Sequence, residues 1–288
     1  MKYQRVGLHV SAAGGVINAP ENAKKLKAEC FQFFSRSPRG GKAPEIPDEA
    51  AGLFRAKCRK YGMESYIHTP YYINFASQNK RIYHGSINVV REELVRGSKL
   101  GVKYVMTHIG SAKDFPLEKN GGKSNSAMKQ AVAGLREVFK DDLKISTRLL
   151  LEISAGAGAV LGDTFEELKY FLKGLERKDV HICLDTCHMF ASGYDIRTKQ
   201  ALDETMRHFR RVLGLRQLKL VHVNDSMSDF DSQKDRHEHI GKGKIGGLGF
   251  KELLKHPDFQ KVNFVLETKH DGLLKSDLTF LKKHRSVK

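Results

Sequence analysis

No two cysteines in this chain have C-x-x-C spacing, no apolar run approaches the length of about eighteen residues that a membrane helix needs, and no stretch rich in proline, glycine and serine divides it. Without paired spacing, Cys30, Cys58, Cys183 and Cys187 read as reduced thiols, three of them in or beside apolar strand or helix patterns, as in a cytosolic protein. Without a long apolar run, a helical membrane span is excluded. Without a linker, residues 1–288 are expected to form one domain, long for an ordinary domain but normal for an α/β barrel. The first segment, MKYQRVGLHVSAAGG, lacks a continuous apolar h-region, so secretion is not expected and the protein is read as soluble and intracellular.

Acidic residues are also scarce: 33 Asp and Glu face 50 Lys and Arg, leaving a net charge of +17. Such an excess points to a polyanionic partner, because each neutralised phosphate releases counterions and adds affinity without sequence preference. Part of it also reads as solvated helix surface, as in KKLK at 24–27 and KKHR at 282–285.

What is present is a regular alternation. Strand-like segments fall near 5–10, 30–34, 65–68, 103–108, 148–153, 180–185, 218–223 and 262–267. Between and after them lie helical patterns near 19–28, 48–61, 79–100, 124–140, 163–177, 198–213, 246–256 and 275–284. Asp163 with Glu166 three residues on reads as a capping box, and Gly62 and Gly101 fall where helices should end. Eight strands alternating with eight helices predict a (β/α)8 TIM barrel, whose sites are built at the C-terminal ends of its strands.

Six of the strand-like runs, ESYIH, KYVMTH, RLLLE, VHICLD, LKLVH and NFVLE, end on a residue able to bind a metal: His68, His108, Glu152, Asp185, His222 and Glu267. Strand ends carry no intrinsic demand for imidazole or carboxylate, so the pattern marks a site. His188 follows Asp185 by three residues and can reach the same cavity. The long connection from Asn224 to about Lys244 resists assignment to helix or strand, and its Asp235, His237 and His239, spaced by two, would point to one side of an extended stretch. Imidazole mixed with carboxylate suits Zn²⁺ or Mn²⁺ better than Ca²⁺ or a thiolate site. Two or three ions sharing a bridging carboxylate could activate water and hold both oxygens of a phosphoryl displacement. Joined to the basic charge, this predicts metal-assisted phosphodiester hydrolysis on nucleic acid.

The segments LHVSAAGG (8–15), HTPYYIN (68–74), LDTCHMFASGYD (184–195), HVNDS (222–226), DRHEHIGKGKIG (235–246) and LET (266–268) resemble the endonuclease IV family of abasic-site DNA repair enzymes, in the same order from about residue 3 to about 270. The resemblance implies a TIM barrel with a trinuclear zinc centre, Mn²⁺ or Fe²⁺ being able to fill some positions. It further implies cleavage of duplex DNA 5′ to an abasic site, leaving a 3′-hydroxyl and a 5′-deoxyribose phosphate, and trimming of blocked 3′ ends. Carried over, His68 and His108 would hold one zinc, and Glu152 would bridge it to a second completed by Asp185, His222 and Glu267. His188, Asp235 and His237 would hold the third. Glu152 and Glu267 become the carboxylates on which catalysis depends. His239 has no counterpart among the ligands, and His9 on the first strand reads as a neighbour of the centre as readily as a ligand.

A metal cluster inside a barrel reaches a backbone only if the damaged nucleotide is extruded, at a cost lowest where the base is already missing. The resemblance matches Arg39, after FSRSP, and Tyr71 with Tyr72 to the residues that enter the duplex, and it implies a monomer in a DNA-containing compartment. The chain departs from the family in Glu152-Ile153-Ser154-Ala155-Gly156-Ala157-Gly158, where Glu-Asn-Thr-Ala-Gly-Gln-Gly is usual. It departs again in Ile109, which replaces a proline, and in Tyr72, where an aliphatic wedge is common. None of these touches an expected ligand. Two rivals share part of the pattern: a metal-dependent sugar isomerase or epimerase on the same barrel, and a non-catalytic DNA-binding protein with a structural zinc centre.

Overall fold

The structure, a computed structural model, describes residues 4–116, 118, 123–140 and 145–286; the ends of the expected 1–288 unit, residues 1–3 and 287–288, lie outside them. Eight parallel strands close into a barrel: β1 (Val6–His9), β2 (Cys30–Phe33), β3 (Glu64–His68), β4 (Tyr104–Thr107), β5 (Arg148–Glu152), β6 (Val180–Asp185), β7 (Leu218–His222) and, after a short two-stranded ribbon, β10 (Asn263–Leu266), which pairs with both β7 and β1. The outer helices are α1 (Asn18–Lys25), α2 (Asp48–Tyr61), α3 (Lys80–Leu100), α4 (Asn125–Val138), α5 (Phe165–Leu175), α7 (Lys199–Val212), α8 (Gly246–Lys255) and α9 (Leu274–His284). This is the expected TIM barrel, with the expected order of elements.

Local chemistry explains where the helices stop. Gly62 and Gly101 take left-handed backbone at φ 64° and 71°, and each closes its helix with N–H bonds back to the last turn. At α5 the N-cap sits one residue later than expected and the capping box does not form: Thr164, not Asp163, accepts from the Glu167 N–H, Glu167 Oε2 accepts from the Gly162 N–H, and Asp163 is engaged by Lys123. Two elements were not expected. A helix of six residues, α6 (Thr186–Ala191), follows β6 directly, and the long connection after β7 contains an antiparallel ribbon, β8 (Asp225–Ser226) with β9 (His237–Glu238).

Residues two apart on a strand face the same side, and this decides how the barrel is filled. Cys30, Tyr66, Met106, Leu150, Cys183, Leu220 and Val265 form an apolar layer separate from the core between strands and helices. On β1 the same layer is Gly7, where a Cβ would lie 1.8 Å from the Cys30 carbonyl oxygen, so no larger residue fits. Two residues further along every strand the character reverses: His9, Gln32, His68, His108, Glu152, Asp185, His222 and Glu267 form the next layer. The apolar layer seals this polar one from the N-terminal end of the barrel, leaving it open only at the C-terminal mouth.

Candidate metal centre

The structure brings all nine sequence-predicted ligands together. Ligand atoms converge in three overlapping groups: His68, His108 and Glu152; Glu152, Asp185, His222 and Glu267; and Asp185, His188 and His237, with Asp235 joining His237 and Cys187. Glu152 is the hinge of the arrangement. Its Oε2 lies 3.3 Å from His68 Nε2 and 3.6 Å from His108 Nε2, while Oε1 lies 2.7 Å from His222 Nδ1 and 3.6 Å from His188 Nδ1. His222 Nδ1 is also 3.3 Å from Glu267 Oε2, and His237 Nε2 is 3.7 Å from Asp185 Oδ2 and 3.3 Å from Asp235 Oδ1.

The far side of several ligands is tied down, which settles which atom faces the centre. His68 Nδ1–H donates to the Thr69 carbonyl (2.6 Å), leaving Nε2 as a lone pair toward Glu152. His188 Nδ1–H donates to the Ile153 carbonyl (2.9 Å), leaving Nε2 3.2 Å from Asp235 Oδ2 but without hydrogen-bond alignment. Asp185 caps α6 by accepting from the His188 N–H (2.9 Å), so the first turn of this short helix aims His188 at the mouth.

A test of whether cations fit comes from polar atoms left over. Glu152 Oε2, His188 Nε2 and His237 Nε2 are buried with no hydrogen-bond partner among the described residues. Unpaired buried polar atoms cost about 1–3 kcal/mol each, so three of them within one cluster of lone pairs mark positions where a divalent cation would complete the shell. The field of the site has the same sense. Burial pushes the Glu152 carboxyl up, but His222, His108 and His68 around it carry it well below the usual carboxylate range. His222 is raised well above an ordinary histidine, its burial outweighed by Cys183, Glu152 and Glu267.

His239 does not share the direction of Asp235 and His237. Its Nδ1 lies 2.6 Å from Asp277 Oδ2 and its Nε2 3.1 Å from Asp271 Oδ2, because the chain turns at the end of β9 and sends this ring toward α9. His9 is not in any ligand group; burial pushes its pKa down to about 3, keeping it neutral beside Gln32.

Two residues escaped the sequence reading. Asn224 donates from Nδ2 to Asp185 Oδ2 (2.6 Å) and accepts at Oδ1 from the Glu267 N–H (2.8 Å). Gln32 bonds His222, Glu267 and His9 at once. Both carry the same alternation that marked the ligands, Gln32 as the one polar residue of CFQF and Asn224 two beyond His222.

At the mouth, a cavity of about 740 Å³ is lined by Tyr71, Tyr72, His108, His188, Asp235 and Ala157, among others. Tyr71 is 68% exposed and rests its ring 5.3 Å from Phe34 and 5.8 Å from His68, so it stands at the rim with its outer face free. Tyr72 borders the loop of Arg39: a Cβ on Gly40 would lie 3.7 Å from its ring. Arg39 itself is exposed. Of the departures, Ser154 and Ala157 face this cavity and Ile109 is fully buried beneath it.

Residues 20–284 match the family of xylose isomerase-like TIM barrels. The protein described as "probable endonuclease 4" from Carboxydothermus hydrogenoformans is 37% identical over 97% of this chain and 96% of its own length. A protein of the same description from Aquifex aeolicus is 37% identical over 91% of this chain and 90% of its own. The crystal structure of endonuclease IV from Thermus thermophilus superposes with a TM-score of 0.85 at 30% identity, covering 97% of this chain and 98% of that one. A D-tagatose 3-epimerase-like protein, at TM-score 0.67 and 17% identity, shares the fold alone. The chain belongs to the endonuclease IV family and is a hydrolase of the nuclease type.

Proposed function

We propose that this chain, acting as one catalytic domain and as a monomer, hydrolyses the phosphodiester 5′ to abasic sites in duplex DNA, leaving a 3′-hydroxyl and a 5′-deoxyribose phosphate, and that it also trims blocked 3′ ends. The observation that carries the reading is the convergence of nine nitrogen- and oxygen-bearing residues in overlapping groups linked through Glu152, Asp185 and His237, in which Glu152 Oε2, His188 Nε2 and His237 Nε2 are buried without a hydrogen-bond partner among the described residues. His68, His108 and Glu152 would hold one zinc ion, Glu152, Asp185, His222 and Glu267 a second, and His188, Asp235 and His237 a third. Bound there, the ions would act as Lewis acids toward a phosphate ester and the water that attacks it.

The protein's own contribution is to shape and direct. Glu152 offers Oε2 toward His68 and His108 and Oε1 toward His222 and His188, so it would serve the ions on both sides of it. The apolar layer below closes the cluster to water from the far end, and the mouth faces the rim carrying Tyr71, Tyr72 and Arg39. These three would fill the gap left in the helix when an abasic nucleotide is turned out, with the rings stacking on bases and Arg39 meeting phosphate. The net charge of +17 supports a nucleic-acid substrate over a sugar, which has no use for such a field.

The test is elemental analysis of the purified chain together with incision of a duplex bearing one abasic analogue. Three zinc equivalents and a nick 5′ to the lesion are expected. A zinc-loaded protein that leaves the duplex intact, or one that interconverts sugars instead, would overturn the reading.

A further inference from the structure

The polar layer of the barrel includes one residue that is neither acid nor base. Gln32, fully buried on β2, has both its amide oxygen and its amide nitrogen bonded within this layer. Its Oε1 lies 2.8 Å from His222 Nε2, and its Nε2 lies 2.5 Å from Glu267 Oε1 and 3.0 Å from His9 Nδ1. Amide orientation is not arbitrary here. A carboxylate oxygen can only accept, so the group facing Glu267 must be the NH₂, and the carbonyl must then face His222. That carbonyl can only accept in turn, so His222 carries its proton on Nε2. The second N–H of Gln32 meets His9 Nδ1, which accepts as a neutral ring.

Two consequences follow for the ligands and one for His9. His222 presents Nδ1, not Nε2, to Glu152 Oε1 and Glu267 Oε2. Glu267 has Oε1 occupied and Oε2 free for the centre. His9, its Nδ1 engaged, is held in the layer as a support for Gln32. We infer that Gln32 is the positioning residue of the second ion site: it selects the nitrogen of His222 and the oxygen of Glu267 that face the metal, with His9 holding its amide in place. The inference rests on the metal-centre reading above.

The experiment uses the whole chain loaded with zinc. In ¹⁵N spectra of the imidazoles, His222 should carry its proton on Nε2 with Nδ1 coordinated; a His222 coordinated through Nε2 would overturn the inference without any variant. Gln32→Met, which keeps the volume and removes all three bonds, should weaken one of three zinc sites by about 10- to 100-fold in chelator competition and leave the other two unchanged. Gln32→Glu keeps an acceptor for His222 but sets a charge against Glu267. It should retain the His222 tautomer while still losing affinity at that one site. Three zinc ions held as tightly in Gln32→Met as in the parent would overturn the inference and leave the metal-centre reading standing. A parent chain that binds no zinc would instead overturn that reading, and this inference with it.

Discussion

The nine candidate ligands fall into two sets that the fold treats differently. His68, His108, Glu152, Asp185, His222 and Glu267 stand at strand ends, whereas His188 lies on α6 and Asp235 and His237 on the connection that forms the ribbon. In the first set, position follows from barrel closure: parallel neighbours fix each Cα, and the apolar layer two residues below fixes which side chains point inward. The second set is more open, with the side chain of Asp235 52% exposed against 0% for Glu152. Its geometry depends on anchors elsewhere. Asp225, buried at the start of the connection, accepts backbone N–H groups from Ser226 (2.8 Å), Gly241 (2.9 Å), Gly243 (3.0 Å), Ile245 (2.9 Å) and Gly246 (3.2 Å). Gly243 allows this closeness, since a Cβ there would lie 2.3 Å from the Ser226 carbonyl oxygen. His239, clamped between Asp277 and Asp271, fastens the chain two residues past His237. Strand-borne ligands are thus placed by the scaffold, His188 by the Asp185 cap of α6, and Asp235 and His237 by two polar anchors.

The largest effect should come from the residue that joins the two sets. Glu152→Gln removes one charged oxygen from a carboxylate that meets His68 and His108 on one side and His222 and His188 on the other. Cleavage of an abasic duplex should fall by about a thousandfold or more, corresponding to ~4 kcal/mol of lost transition-state stabilisation. Single-turnover rates on that duplex would measure it, and a fully active variant would deny Glu152 its bridging part.

Next in size is the anchor of the connection. Asp225→Ala would strand five backbone N–H groups, and we expect a loss of about 2–4 kcal/mol, lowering the melting temperature by roughly 5–15 °C. The comparison predicts more than instability. The ion that His188, Asp235 and His237 would hold should be lost first, with the strand-borne sites still filled below the new melting point. Calorimetry paired with zinc analysis would decide this; equal loss from all sites would mean the two sets are not independently placed. His239→Ala should do the same more mildly, weakening that one site by about tenfold as loss of an outer support usually does, and lowering the melting temperature because the buried Asp277 loses its imidazole partner.

This division also explains what was legible in the sequence. Strand ends are visible because alternation is strict: an apolar run closed by His68 or Glu152 has only one reading in a barrel. Gln32 in the same polar layer and Asn224 two residues beyond His222 obey the same spacing, but an amide carries no metal-binding signature. His239 misled in the opposite way, since period-two spacing holds only while the chain stays extended, and β9 ends at Glu238. α6 escaped because its six residues span under two turns, too short for a helical period to declare itself. The cap at Thr164 was missed by one residue because Asp163 is the stronger N-cap by type but is held by Lys123, a partner forty positions away.

The smallest expected effect concerns loops that bear no ligand at all. Arg39, Tyr71 and Tyr72 lie beyond β2 and β3 at the rim, and they extend the comparison to a third kind of position, exposed and bearing no ligand atom. If the basic excess tracks DNA phosphates, the logarithm of the binding constant for duplex DNA should fall linearly with the logarithm of salt concentration. Arg39→Ala should then reduce that slope by about one and weaken binding modestly, with zinc content unchanged. Tyr71→Ala should leave the slope alone, since stacking releases no counterions, and cost about 1–3 kcal/mol of binding to an abasic duplex. Affinity measured at several salt concentrations separates the two: binding indifferent to salt would mean the charge of this protein is only a solvated surface, whereas a slope lowered by Arg39→Ala but not by Tyr71→Ala would assign phosphate and base contacts to neighbouring loops of one rim.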